Sequence, residues 1–309
     1  MQPQHVPVLR DEVAALVARG PGHVVLDATV GLGGHAAAIL TRLPQARLVG
    51  LDVDPQALAV AAVRLAPFAP RVTLRRGSYA QLDEHLRALG LTTVDAVLFD
   101  LGVSSLQIDA AERGFSYRAD GPLDMRMDPR TTLSAADLLN AADEREIARI
   151  LREYGEEPLA RRLAKSILER RRKAPLRTTA DLVDVVERMV SGRKRVSSLA
   201  RVFQGVRVAV NRELENLEYG LQRALGVLAP GSIFAVLSYH SLEDRAVKQF
   251  FRAQVEGCTC PPGLPQCGCG FIAGFRLLTR RAVRAGAAEL AANPRARSAR
   301  LRALQRLAA

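Results

Sequence analysis

No apolar run in the sequence approaches the roughly 20 residues that a membrane-crossing helix needs, which excludes a helical membrane protein. The first residues, Met1-Gln2-Pro3-Gln4-His5, lack a charged stretch followed by an apolar one, so no export signal is read and the cytoplasm is the expected compartment. Cysteine is scarce: four residues, Cys258, Cys260, Cys267 and Cys269, all in one proline- and glycine-rich stretch, which is no disulfide framework. Their C-x-C pairs also miss the two-to-four spacing of common structural zinc sites, and no metal is assigned. There are no internal repeats. Acidic residues are short as well, 32 against 44 lysines and arginines, for a formal charge of +12. Arginine carries most of the excess, and its planar fork bonds two phosphate oxygens at once. A polyanionic partner is favoured over an acidic small molecule.

What is present is organised around Val24-Val25-Leu26-Asp27-Ala28-Thr29-Val30-Gly31-Leu32-Gly33-Gly34-His35. A short apolar run ends in aspartate, turns through glycines and opens into an alanine-rich helix, the start of a βαβ unit. Glycine allows positive φ and close backbone approach, and a helix N-terminus offers unpaired N–H groups. Gly31-x-Gly33-x-x-Ala36 followed by Asp52 also satisfies a dinucleotide fingerprint, so a nicotinamide cofactor and a ligand-free turn both stay open here. Charge favours a third reading. Asp27 would repel a pyrophosphate, whereas the sulfonium and ammonium of S-adenosylmethionine would be attracted to it.

The same logic recurs along the chain. Residues 6–19 carry a helical pattern. Leu48-Val49-Gly50-Leu51 ends in Asp52, a candidate for ribose hydroxyls, with Asp54 and Pro55 starting the next helix. Val72-Thr73-Leu74 leads to Tyr79, a ring for an adenine face, and Val94–Phe99 ends in Asp100-Leu101-Gly102-Val103-Ser104-Ser105. Three strands therefore finish in carboxylates, where ligands of open α/β sheets bind. Beyond Gln107 the alternation stops. Residues 108–130 are turn-rich, and 134–189 read as helical, including an amphipathic segment with Leu159, Leu163 and Ile167 on one face. Arg161, Arg162, Lys165 and Arg170-Arg171-Arg172-Lys173 form its cationic side, suited to phosphate or simply solvated. A long helix over 199–228, a buried strand over 233–237 and His240 at that strand's end follow. In the tail, Arg295 through Arg302 suggest an edge strand with arginines directed at RNA. The expected organisation is an α/β domain over 1–110, an inserted all-helical domain over 111–198, and the rest of the α/β domain over 199–309.

Together these motifs resemble the MraW/RsmH family of small-subunit rRNA cytosine-N4 methyltransferases. The matching strings include His5-Val6-Pro7-Val8-Leu9, Asp27-Ala28-Thr29 with Gly33-Gly34-His35, Asp100 through Ser105, Glu112-Arg113-Gly114-Phe115 and Leu123 through Asp128. They continue in Tyr154-Gly155-Glu156-Glu157, Phe203-Gln204, His240 through Arg245 and Asn293 through Ser298. The chain departs at Leu106, Gly205 and Tyr239, where proline, alanine and phenylalanine are common. The resemblance implies a class I (Rossmann-like) S-adenosylmethionine-dependent methyltransferase sheet with an inserted helical domain that recognises RNA. It implies cofactor contacts from Gly33, Gly34, His35, Asp52, Tyr79, Asp100 and Gln107, joined by Asp27 from the charge argument. The target it implies is the N4 amine of a cytidine in the decoding region of 16S rRNA, on an assembled or nearly assembled small subunit; a homodimer is left open. Asp100 is expected nearest the transferring methyl, with Ser104, Ser105 and His240 orienting the base. The alternatives are an RNA-binding assembly factor with a vestigial pocket and a nicotinamide-dependent oxidoreductase.

Overall fold

A computed structural model describes residues 6–256, 260, 268–269 and 273–308. The chain runs α1 (Arg10–Val17), β1 (Val24–Asp27), α2 (Gly34–Arg42), β2 (Arg47–Asp52), α3 (Pro55–Leu65), β3 (Val72–Arg76), α4 (Leu82–Arg87) and β4 (Val94–Asp100). It continues through α5 (Ser105–Asp109), α6 (Ala135–Ala141), α7 (Glu144–Glu153), α8 (Ala160–Lys173), α9 (Thr179–Met189) and α10 (Lys194–Asn211). Then come α11 (Glu213–Val227), β5 (Leu228–Ser238), α12 (Ser241–Ala253), β6 (Phe275–Leu277), α13 (Ala287–Ala292) and β7 (Arg300–Arg306). Two compact units result, one of residues 1–102 and 214–309, the other of residues 103–213. No helix among the described residues is long and apolar enough to cross a membrane.

In the first unit the strands form one seven-stranded sheet in the order β3-β2-β1-β4-β5-β7-β6. Neighbours from β3 to β5 pair in parallel, and β7 runs antiparallel between β5 and β6. The central strands β1, β2, β4 and β5 are largely apolar because helices cover both faces of a parallel sheet. Alternate residues feed two cores: Val25, Leu98, Ile233 and Ala235 on one face, Leu26, Phe99, Phe234 and Val236 on the other. Each such large side chain contributes roughly 1.5–3 kcal/mol of burial. Edge-on ring contacts tie Phe99 to Phe234 at 5.1 Å and Phe234 to Phe251 at 5.3 Å.

Two sequence expectations need correction. The tail strand β7 is an interior strand, not an edge, and its arginines are spent inside the unit. Arg300 and Arg302 both pair with Asp244 of α12, at 2.8 and 2.7 Å, and Arg306 donates to the Leu228 carbonyl. Burial pushes Asp244 up, but the guanidiniums of Arg302 and Arg300 outweigh it and hold the carboxyl below its ordinary range. The single helix read over 199–228 is two, α10 and α11, broken where Arg212 takes a left-handed φ of 51°.

The second unit packs its own core from Leu139, Ile147, Leu151, Leu163, Ile167, Leu182, Val186, Val202, Phe203 and Val206, all buried. Because α10 contributes Val202, Phe203, Val206 and Val210 to this core, the unit extends to residue 213. Asn211 pins the turn-rich stretch to α10, accepting from Met127 N and donating to Met125 O, both at 2.8 Å. The cationic end of α8 is partly structural: Arg170 pairs with Asp181, and Arg171 donates to the carbonyls of Leu139 and Ala142. Arg161, Arg162, Lys165, Arg172 and Lys173 are exposed.

Candidate active site

Asp27, Asp52 and Asp100 are the last residues of β1, β2 and β4. These three strands are neighbours and parallel, so the carboxylates occupy one rim of the sheet. Backbone and side-chain bonds tie the rim together. Asp100 N donates to Thr29 Oγ1 at 2.5 Å, while Thr29 N donates to Asp27 Oδ1 at 3.3 Å. Gly31 N donates to Asp52 Oδ2 and Asp54 N to its Oδ1, each at 2.9 Å. Asp27 is only 1% exposed, and desolvation, reinforced by the nearby charge of Asp100, pushes its carboxyl up to about 8. Desolvation also raises Asp52, to about 6. At neutral pH the rim is thus short of the negative charge it could carry, and a cation placed there would restore it.

The glycine turn enters α2 through Gly33, whose φ of 76° makes it the helix cap. Gly34 is required for space, since a Cβ there would stand 2.3 Å from Pro7 Cγ. His35 follows and is buried. Among the described residues both ring nitrogens lack a hydrogen-bond partner, although Nε2 lies 3.5 Å from Asp100 Oδ2. Desolvation pushes His35 down to about 4, so the ring is neutral at physiological pH and this approach is not an ion pair. Tyr79 stands just beyond β3 with its ring 5.0 Å from that of Phe99. At the end of β5, His240 caps α12. Its Nδ1 accepts from Glu243 N at 3.5 Å, and its Nε2 lies 3.1 Å from Glu243 Oε1.

Three expected site residues belong to the second unit. Ser104 caps α5 by accepting from Gln107 N at 3.3 Å, and Gln107 Oε1 accepts from Ser104 N at 3.0 Å, a reciprocal capping box. Gln107 is buried and Ser105 half-buried. Of the motif residues, His5, Cys258 and Cys267 lie outside the described residues.

Sequence reasoning gave no role to Thr29 or Tyr239, yet both bond Asp100: Tyr239 OH donates to Asp100 Oδ1 at 2.8 Å. Thr29 sits two residues past a strand-end aspartate, a spacing that carries a signal for its turn bond to Asp27, though not for its bond to Asp100. Tyr239 carried none, because its partner is on another strand.

These residues fit S-adenosylmethionine. Carboxylates suit its cationic groups and ribose hydroxyls. Among the described residues a Cβ on Gly31 would meet only Thr29 O, at 3.8 Å, so the turn is open to a ligand, and the orphaned Nε2 of His35 lies 3.5 Å from Asp100 Oδ2. The sheet order, with one reversed strand next to the last, together with this acidic rim defines a Rossmann-like methyltransferase. The chain belongs to the MraW methylase family, whose model matches residues 2–307. It is similar to the ribosomal RNA small subunit methyltransferase H of Syntrophotalea carbinolica, 51% identical over 308 residues and 98% of each chain. The enzyme of the same name from Symbiobacterium thermophilum is 51% identical, covering 99% of this chain and 97% of its own. That from Heliobacterium mobile is 48% identical, covering 99% and 100%.

Proposed function

We propose that this chain transfers a methyl group from S-adenosylmethionine to the exocyclic N4 of a cytidine in the decoding region of 16S rRNA. The observation that carries the reading is the acidic rim, three carboxylates at the ends of adjacent parallel strands around a glycine turn. The small-subunit rRNA methyltransferases to which the chain is similar support the choice of RNA. When bound, the cofactor supplies an electrophilic methyl group on a sulfonium.

The residues of the chain do the rest. Asp52 would accept the ribose hydroxyls, and Tyr79 would lie along the adenine. Gly33 and Gly34 would let the cofactor reach the start of α2, and His35 and Gln107 are assigned to it as further contacts. Asp27, sealed under the turn, acts through its charge rather than by touch. The cytidine amine is conjugated with its ring, so an acceptor must bond one N–H as its lone pair is freed. Asp100, with its side chain 27% exposed, takes that part. Ser104, Ser105 and His240 are assigned to orienting the base, Ser104 and His240 from the helix starts that they cap. Holding donor and amine in line supplies much of the rate, and the base must be turned out of any stack to reach the donor. The exposed cations of α8 are assigned to the RNA backbone. The reading places the enzyme in the cytoplasm, acting on the small ribosomal subunit.

The test is transfer of a labelled methyl group to small subunits or 16S rRNA by the purified chain. Asp100→Asn, assayed at saturating cofactor, is expected to lose at least about 100-fold in rate. An unchanged rate at saturation would remove Asp100 from the chemistry.

A further inference from the structure

Asp100 is held by a side chain that the proposed mechanism does not use. Tyr239 follows β5 directly, and its backbone N–H donates to Glu243 Oε2 at 2.9 Å, which fixes the residue against the start of α12. The Tyr239 ring then passes beside Gly102, whose φ is +87°; a Cβ there would lie 3.7 Å from Tyr239 Cδ2. The hydroxyl reaches across to Asp100 Oδ1 at 2.8 Å. Asp100 Oδ2 faces His35 Nε2 at 3.5 Å, and Asp100 N is bonded to Thr29. Backbone, one carboxylate oxygen and the other each have a neighbour on a different element.

We propose that Tyr239 is a positioning residue: its hydroxyl fixes the plane of the Asp100 carboxylate against which the cationic cofactor would bind. A phenylalanine would keep the packing and lose this bond. The donor is present at every working pH, because desolvation and the neighbouring charge of Asp100 raise Tyr239 well above 10. The groups bearing on this pair are Asp27 from β1, His35 from α2, Glu243 from α12 and Glu289 from α13.

The inference rests on S-adenosylmethionine being the ligand, and the experiment separates the two. Calorimetric binding of S-adenosylmethionine and S-adenosylhomocysteine is measured for the unaltered chain, Tyr239→Phe, Asp100→Asn and the double variant, at pH 6 and 8.5, with thermal unfolding in parallel. Tyr239→Phe is expected to bind S-adenosylmethionine about ten-fold more weakly at both pH values. The neutral-sulfur product should lose less, the unfolding midpoint should stay put, and Tyr239→Phe should change nothing further once Asp100 is asparagine. Equal binding by Tyr239→Phe and the unaltered chain at both pH values would overturn the assignment. So would a loss that persists in the Asp100→Asn background. No binding of S-adenosylmethionine by the unaltered chain would overturn the methyltransferase reading itself, and this inference with it.

Discussion

Asp27 shows how the site sets a conflict between stability and charge. In the folded chain its carboxyl is pushed up to about 8, mainly by desolvation and then by Asp100, whereas an unfolded aspartate titrates near 4. Between those values the folded state holds a proton that the unfolded state does not. The sign follows: from about pH 4 to about pH 8 this residue makes folding less favourable as pH rises, by up to about 1.4 kcal/mol per pH unit. Asp27→Asn removes the slope while keeping a neutral group of similar shape. Denaturant titrations from pH 5 to 9 should therefore show the variant gaining on the unaltered chain as pH climbs; parallel curves would mean that Asp27 is already ionised in the fold. A bound cation beside the rim would favour the ionised form, so the cost of burying Asp27 is recovered when the cofactor is present.

At the level of elements, the helical unit depends on one close approach. Gly155, just past α7, has no room for a side chain: a Cβ would stand 2.5 Å from Arg201 O and 2.7 Å from Leu151 O, both main-chain atoms that cannot turn aside. Gly155→Ala should cost about 1–3 kcal/mol and lower the unfolding midpoint by several degrees; an unchanged midpoint would show that α7 and α10 separate freely. Strands β1, β2 and β4 were legible in the sequence because burial on both faces writes each as a largely apolar run closed by the aspartate that later forms the rim. The place of β7 was not. Pairing between β5 and β6 depends on residues far apart in the chain, and Arg300 and Arg302 read as RNA-facing until Asp244 is seen beside them. The break between α10 and α11 was equally hidden, since Arg212 takes a left-handed conformation with no glycine or proline to announce it.

Over the whole molecule, function divides between charges of opposite sign. Carboxylates collect on the one sheet rim where parallel strands end, and the excess of basic side chains gives the chain its formal charge of +12. The first feature suits a cationic methyl donor and the second a phosphate backbone. The sequence carried this division openly, through three strand-end aspartates and the arginine content, while the bonds of Thr29 and Tyr239 to Asp100 emerged only in three dimensions. The most direct measurement is nucleoside mass spectrometry of 16S rRNA from cells with and without the gene. The account predicts that N4-methylation of the decoding-region cytidine disappears without the gene and returns with the intact gene but not with Asp100→Asn; an unchanged level of N4-methylated cytidine in its absence would contradict it.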